Sequence, residues 1–146
     1  MKKLLFLFSV MLIGCNSSEK KEKETMTIGT SNQVLSPLEQ SIERGSTVYK
    51  NFCVQCHLPN GKGIKGLYPP LDASDWLTDK RQESIHAVKY GLNGEIEVNG
   101  EKYNNIMLPM GLDDQEIADV MNYVMSSWSN KLTQEVTVEE VKSITK

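Results

Sequence analysis

The chain has 146 residues, 16 Lys and Arg against 19 Asp and Glu, and a formal net charge of −3. That length holds one domain plus appendages, and charged and apolar fractions of 24% and 39% are ordinary for a soluble protein. A mildly acidic body argues against nucleic-acid binding.

The first segment departs from that average. Lys2 and Lys3 form a basic start, and Leu4 to Ile13 form an apolar run interrupted only by Ser9. Residues 1–14 therefore read as a secretory signal peptide, too short for a membrane-spanning helix. Leu12-Ile13-Gly14-Cys15 resembles a bacterial lipobox, which implies cleavage before Cys15 and lipidation of its thiol. The alternative is a plain signal peptide cut nearby, leaving a free cysteine. Removal of residues 1–14 takes two lysines away and moves the formal net charge from −3 to −5. Residues 15–35 read as a lipid-anchored tether. Asn16 to Glu24 is nearly all polar and Met26 to Val34 lacks a helical period, so little surface is available to offset the entropy of ordering.

A domain over residues 36–130 opens at Ser36-Pro37-Leu38-Glu39, with serine at the N-cap, proline at the first helical position and glutamate placed for a capping box. Ile42, Gly45, Val48, Tyr49 and Phe52 recur at helical spacing and lead into Cys53. Gly45 weakens this helix relative to alanine. It marks either the close approach of another helix or a break between two short ones.

Cys53-Val54-Gln55-Cys56-His57 is a C-x-x-C-H run, the attachment pattern of a covalent c-type haem. Two thiols at this spacing each add to one vinyl group, and the adjacent histidine supplies one axial nitrogen. A redox disulfide of the thioredoxin type needs a βαβ context that the chain lacks. A structural zinc site needs four soft ligands, and beyond this cluster only His86 and Cys15 remain. With Cys15 lipidated and Cys53 and Cys56 on haem, no thiol is left for a disulfide, although the compartment is oxidising.

Asn60-Gly61, Gly63 and Gly66 mark a loop, and Pro69-Pro70-Leu71 is extended. Asp79 to Tyr90 reads as a short helix ended by Gly91, with Ile85 and Val88 inward. Ile96 and Val98 alternate with glutamates before Asn99-Gly100, a hairpin with type I′ turn chemistry. Asp113 and Glu116 open a helix with Ile117, Val120, Met121, Val124, Met125 and Trp128 on one face. Residues 131–146 read as a C-terminal extension in which Thr137 starts a short helix. The whole reads as all-α, with helix and loop predominating.

An iron that only carries electrons needs a second axial ligand. Tyr103 to Gly111 has few regular-structure signals and holds two methionines. Met107 is the preferred ligand and Met110 its rival, each weighed against plain core filling; a thioether favours ferrous iron and raises the reduction potential. Met121 and Met125 read as core, and His86 as a packing or solvent-facing residue rather than a ligand. The second nitrogen of His57 calls for a backbone acceptor, for which the rigid Pro69 carbonyl is suited. Trp76 Nε1, Tyr103 and Tyr68 are candidate donors to the haem propionates; for Trp76 the alternative is packing against the haem edge.

Residues 43–130 resemble a class I cytochrome c domain. The resemblance rests on Arg44-Gly45, Tyr49, Cys53 to His57, Tyr68-Pro69-Pro70-Leu71, Leu112 to Val120 and Tyr123-Val124. It implies N- and C-terminal helices that cross, with Gly45 and Tyr49 near Tyr123, and a Pro69 carbonyl bonded to the proximal histidine. The family usually shows Met-Pro at the sixth ligand, whereas this chain reads Met107-Leu108-Pro109-Met110. The Val-Asn-Gly hairpin and the Tyr-Asn before the methionine resemble domains attached to cytochrome oxidase subunits and copper nitrite reductases.

The expectation is a monomeric, monohaem electron carrier in the bacterial cell envelope, lipid-anchored and facing the periplasm. It serves redox partners such as a terminal oxidase or reductase and turns over no substrate. The rival functions are a haem peroxidase or gas sensor with a labile sixth position, and a structural lipoprotein with a zinc or disulfide knuckle.

Overall fold

A computed structural model describes residues 34–131 and 133–146. The signal peptide, Cys15 and nearly all of the tether lie outside the described residues. Six helices and one hairpin follow in order: α1 (Pro37–Phe52), α2 (Val54–His57), α3 (Asp75–Asp79), α4 (Arg81–Tyr90), β1 (Ile96–Val98), β2 (Glu101–Tyr103), α5 (Asp114–Ser126) and α6 (Val138–Ser143). The two strands pair antiparallel with Ile96 opposite Tyr103 and Val98 opposite Glu101. Asn99 and Gly100 turn between them at φ 53° and 76°, the backbone that a type I′ hairpin requires.

Both long helices start as the sequence dictates. Ser36 and Glu39 exchange capping bonds at the start of α1, and Asp113 and Glu116 do so at the start of α5. The two helices pack face to face around Gly45. A β-carbon there would collide with the Asp119 carbonyl and lie 2.9 Å from Cβ of Tyr123. Gly45 thus sits inside one continuous helix, where its missing side chain lets α5 approach. Around it Tyr49 stacks on Tyr123 with ring centroids 5.4 Å apart.

The contact is fastened by a buried carboxylate. Asp119 is 2% exposed and accepts from Ser41 Oγ at 2.7 Å, from Arg44 Nε and Nη2 at 2.7 Å each, and from Gln115 Nε2 at 3.0 Å. Burial alone pushes its carboxyl pKa up, but the donors from Arg44, Ser41 and Gln115 outweigh that and hold it below the usual carboxylate value.

Several expectations need correction. The helix predicted over 79–90 begins at Arg81, and a separate five-residue helix, α3, precedes it. Ser84 Oγ donates to the carbonyls of Trp76 and Lys80 and fastens the two together. Trp128 is not on the face of α5. That helix ends at Ser126, and Trp128 turns back at φ 57° so that Nε1 donates to the Pro59 carbonyl at 3.2 Å. Phe52 faces outward, 44% exposed, because α1 outlasts the surface it packs against. Residues 131–146 are no mere appendage, since Val136, Val141 and Ile144 complete the hydrophobic core. Asn122, itself buried, bonds both the N–H and the C=O of Val136.

The depressed Asp119 carboxyl ties stability to acid. Its contribution is complete above the unfolded carboxyl pKa near ~4 and is lost as pH falls through the lower folded value. Asp119→Asn is expected to destabilise the holoprotein at pH 7 by about 2–3 kcal/mol and to flatten the fall in stability below pH ~4, read from denaturation midpoints across pH.

Candidate functional site

The first wall of the site follows from α1. Its last turn leads into Cys53, which caps α1 and starts α2, so Cys53, Cys56 and His57 are carried on one short helical stretch. His57 is buried, and its Nδ1 lies 3.0 Å from the Pro69 carbonyl. A carbonyl only accepts, so Nδ1 carries the proton and Nε2 is the nitrogen left to bind a metal. Burial lowers the His57 pKa, partly opposed by the bond to Pro69, which favours the neutral imidazole that a metal requires.

The Cys53 thiol is pushed up to about 11, first by burial and then by Cys56. A redox-active disulfide pair has the opposite signature, a lowered thiol pKa. Among the described residues no group of three or more His, Cys, Asp and Glu is arranged to hold a metal ion. Both observations run against the redox-thiol and zinc readings of the C-x-x-C-H run.

Further lining comes from the Met107 segment and from α5. A crevice of about 670 Å³, open to solvent, is lined by Cys53, His57, Pro69, Trp76, Met107 and Val120 among others. A smaller space of about 440 Å³ is lined by Cys56, His57, Tyr68, Pro69, Tyr103 and Met107. His57 and Met107 border both spaces and Met110 borders neither. Of the sequence-predicted residues, Cys53 and Trp76 line the first space, Cys56, Tyr68 and Tyr103 the second, and His57, Pro69 and Met107 both, so that the two together form the candidate hollow. His86 lines neither, with its ring 5.1 Å from that of Tyr90.

A cytochrome c family model matches residues 42–128. The chain belongs to the cytochrome c family. It is 38% identical over 109 residues to cytochrome c-552 of Thermus thermophilus, covering 68% of this chain and 82% of that protein. It is 33% identical over 93 residues to the cbb3-type cytochrome c oxidase subunit CcoP of Cereibacter sphaeroides, covering 60% of this chain and 31% of that subunit. It is also 27% identical over 104 residues to the cytochrome c subunit of a quinone alcohol dehydrogenase from Gluconobacter oxydans, covering 68% of this chain and 21% of that subunit. The chain is a c-type cytochrome, an electron carrier with a covalent haem c, and its helical fold with one small hairpin is the class I arrangement.

The hollow fits that group. Its walls are almost wholly apolar, as a porphyrin face needs. Trp76 Nε1 is buried against it without a hydrogen-bond partner in the protein, and a buried donor left unpaired is costly. An acidic oxygen of the bound group would satisfy it, as the sequence reading of Trp76 as a propionate donor anticipates. Other wall residues were not identified as such from sequence. Leu92, Val98, Val120, Met121 and Val124 read simply as loop, strand or core. For the α5 residues the only signal was an apolar face wider than one partner helix needs, and Met121 serves both core and crevice. Met125 instead packs away from it, 3.7 Å from Nη1 of Arg81.

Replacing Cys53 and Cys56 together by alanine is expected to free the haem from the polypeptide. Acid–acetone extraction followed by pyridine haemochrome analysis should recover it from the variant and not from wild type.

Proposed function

We propose that this chain is a lipid-anchored cytochrome carrying single electrons between respiratory partners at a bacterial cell envelope, facing the periplasm, with the iron held between His57 and Met107. The observation that carries this reading is that these two side chains border the same two spaces, whereas Met110 borders neither.

When bound, haem c supplies a one-electron ferric–ferrous couple whose potential is raised by a thioether ligand. The protein's own residues orient it, shield it and limit its chemistry. The Pro69 carbonyl fixes the ring of His57 and keeps Nε2 toward the hollow. Met107, which lines the same spaces as His57, would hold the iron as its second protein ligand, and with both ligands bound no site would be open for a substrate and no turnover is expected. Trp76, which lines one space, and Tyr103 and Tyr68, which line the other, would be the donors to the propionates. Val98, Val120 and Val124 exclude water from one face and favour the less charged, ferrous state.

The exit for electrons is the rim near Cys56. Leu67, on the wall beside Cys56, is 43% exposed, and Ile106 and Leu108, which flank Met107, are 59% and 68% exposed. Exposed apolar side chains around a redox edge suit brief docking of a partner without a large charged interface. The named relatives include subunits of an oxidase and of a dehydrogenase. This supports a terminal oxidase or reductase as partner to a monomeric carrier, with the Cys15 lipid and the 15–35 tether keeping it near the membrane.

Met107→Ala should abolish the thioether-to-ferric charge-transfer band and lower the reduction potential, whereas Met110→Ala should keep both; the reverse result assigns Met110. Fast, tight binding of carbon monoxide or cyanide to the resting wild-type protein would instead favour the peroxidase or gas-sensor reading. Cys15→Ala is expected to move the cytochrome from the membrane to the soluble fraction on centrifugation. Unchanged membrane retention would remove the lipid anchor.

A further inference from the structure

The family match ends at residue 128, and beyond it residues 133–146 make a strap that is held by Asn122 of α5 and by both ends of α4. At the far end of that helix Lys89 Nζ donates to the carbonyls of Val141 at 2.8 Å and Ile144 at 3.4 Å. The same ammonium pairs with Asp114 Oδ1 at 3.1 Å, although the Lys89 side chain is only 16% exposed. Tyr90 Oη donates to the Ile144 carbonyl at 3.1 Å.

The next two residues meet the Met107 segment. Gly91 has φ 83° and ends α4, and a β-carbon on it would sit 2.7 Å from the Met107 carbonyl and 2.9 Å from Cδ of Pro109. Leu92 N–H donates to the Met107 carbonyl at 2.8 Å, and Met107 N–H donates to the Leu92 carbonyl at 2.9 Å. Among the described residues these are the only hydrogen bonds from main chain to main chain made by residues 104–112, the Ile106 N–H donating instead to the side chain of Asn105. Met110 and Leu112 are half-buried, the latter against the core, and the rest of the segment around Met107 is exposed and irregular, so the pairing with Leu92 is what ties Met107 itself to the fold. Leu92 is placed by the end of α4, and that end is fastened to the strap by Lys89 and Tyr90. Lys89 also holds Asp114, in the first turn of α5, where the segment ends.

We propose that Lys89 and Tyr90 are positioning residues, which couple the C-terminal strap to the Met107 segment and keep the thioether closed on the iron. The inference rests on the reading of Met107 as axial ligand. A foreign ligand reaches the iron only when that segment lifts, so its apparent affinity rises in proportion to the open fraction. Removing the three contacts of Lys89 raises that fraction. Arg81 supplies the contrast. It clamps the same strap at the start of α4, through Glu140 and the carbonyls of Gln134 and Glu135. It is a whole helix away from Leu92.

The test is titration of the ferric holoprotein with imidazole. Lys89→Met, which keeps the stem and loses the donors, should bind imidazole about tenfold more tightly than wild type. Tyr90→Phe should shift the same way by a smaller factor, and Lys89→Arg should restore near-wild-type affinity. Arg81→Gln should lower the thermal midpoint yet leave imidazole affinity unchanged. An affinity in Lys89→Met within about twofold of wild type, or an equal gain in Arg81→Gln, overturns the proposal. If Lys89→Met does not mature, Tyr90→Phe decides, and no change in it overturns the proposal as well. A charge-transfer band that survives Met107→Ala removes the ligand assignment instead, a result read on a different variant.

Discussion

The close approach of α1 and α5 at Gly45 is the constraint on which the rest of the structure depends. With hydrogen in place of a side chain, the Asp119 carbonyl rests directly on α1. That approach brings the Asp119 carboxylate onto Ser41 and Arg44 and the ring of Tyr123 onto Tyr49. The same two helices contribute to the redox site. α1 runs out into Cys53 and His57, while Val120, Met121 and Val124, neighbours of Asp119 along α5, line the same crevice. The close approach at Gly45 therefore fixes one part of the lining relative to another. A larger residue at position 45 would alter the core and the site together.

Polarity inside that hollow is sparse and assigned. His57 has its proton on the nitrogen that faces Pro69, Trp76 presents one unpaired N–H, and most of the remaining lining is aliphatic. An apolar shell of this kind resists the accumulation of charge at iron and so favours reduction. The hairpin contributes through its turn. Asn99 bonds the main chain of Ala73 and Asp75, and Asp75 returns a bond to Asn99. Val98 is thereby held over the crevice although the sheet has only two short strands.

The C-terminal strap shows how a small domain gains core without disulfides. Val136, Val141 and Ile144 join the hydrophobic core with α5, while Asn122 and Lys89 satisfy the main-chain groups of Val136 and Val141 that this burial would strand, and Arg81 holds the exposed carbonyls of Gln134 and Glu135. Such backbone-directed side chains specify one path for the strap, where apolar contact alone would tolerate several. Of these anchors Lys89 lies at the end of the helix that leads to Leu92, which is why the proposed link between strap and Met107 segment runs through Lys89 and not through Arg81 or Asn122.

Local chemistry was legible from the sequence. The capping boxes at Ser36 and Asp113, the Asn99-Gly100 turn, the C-x-x-C-H run and the pairing of His57 with Pro69 each depend on residues at short, fixed offsets, and the physics of caps, turns and attachment sites acts over that range. Tertiary structure decided what depends on distant surfaces meeting. It placed Met107 at the border of both spaces and Met110, three residues on along the same irregular segment, at neither. It turned Trp128 off the helix and onto Pro59, and it drew residues 136–144 into the core. Helical periodicity shows that a face is apolar but not what covers it, because burial belongs to the pair of surfaces and a sequence displays them one at a time.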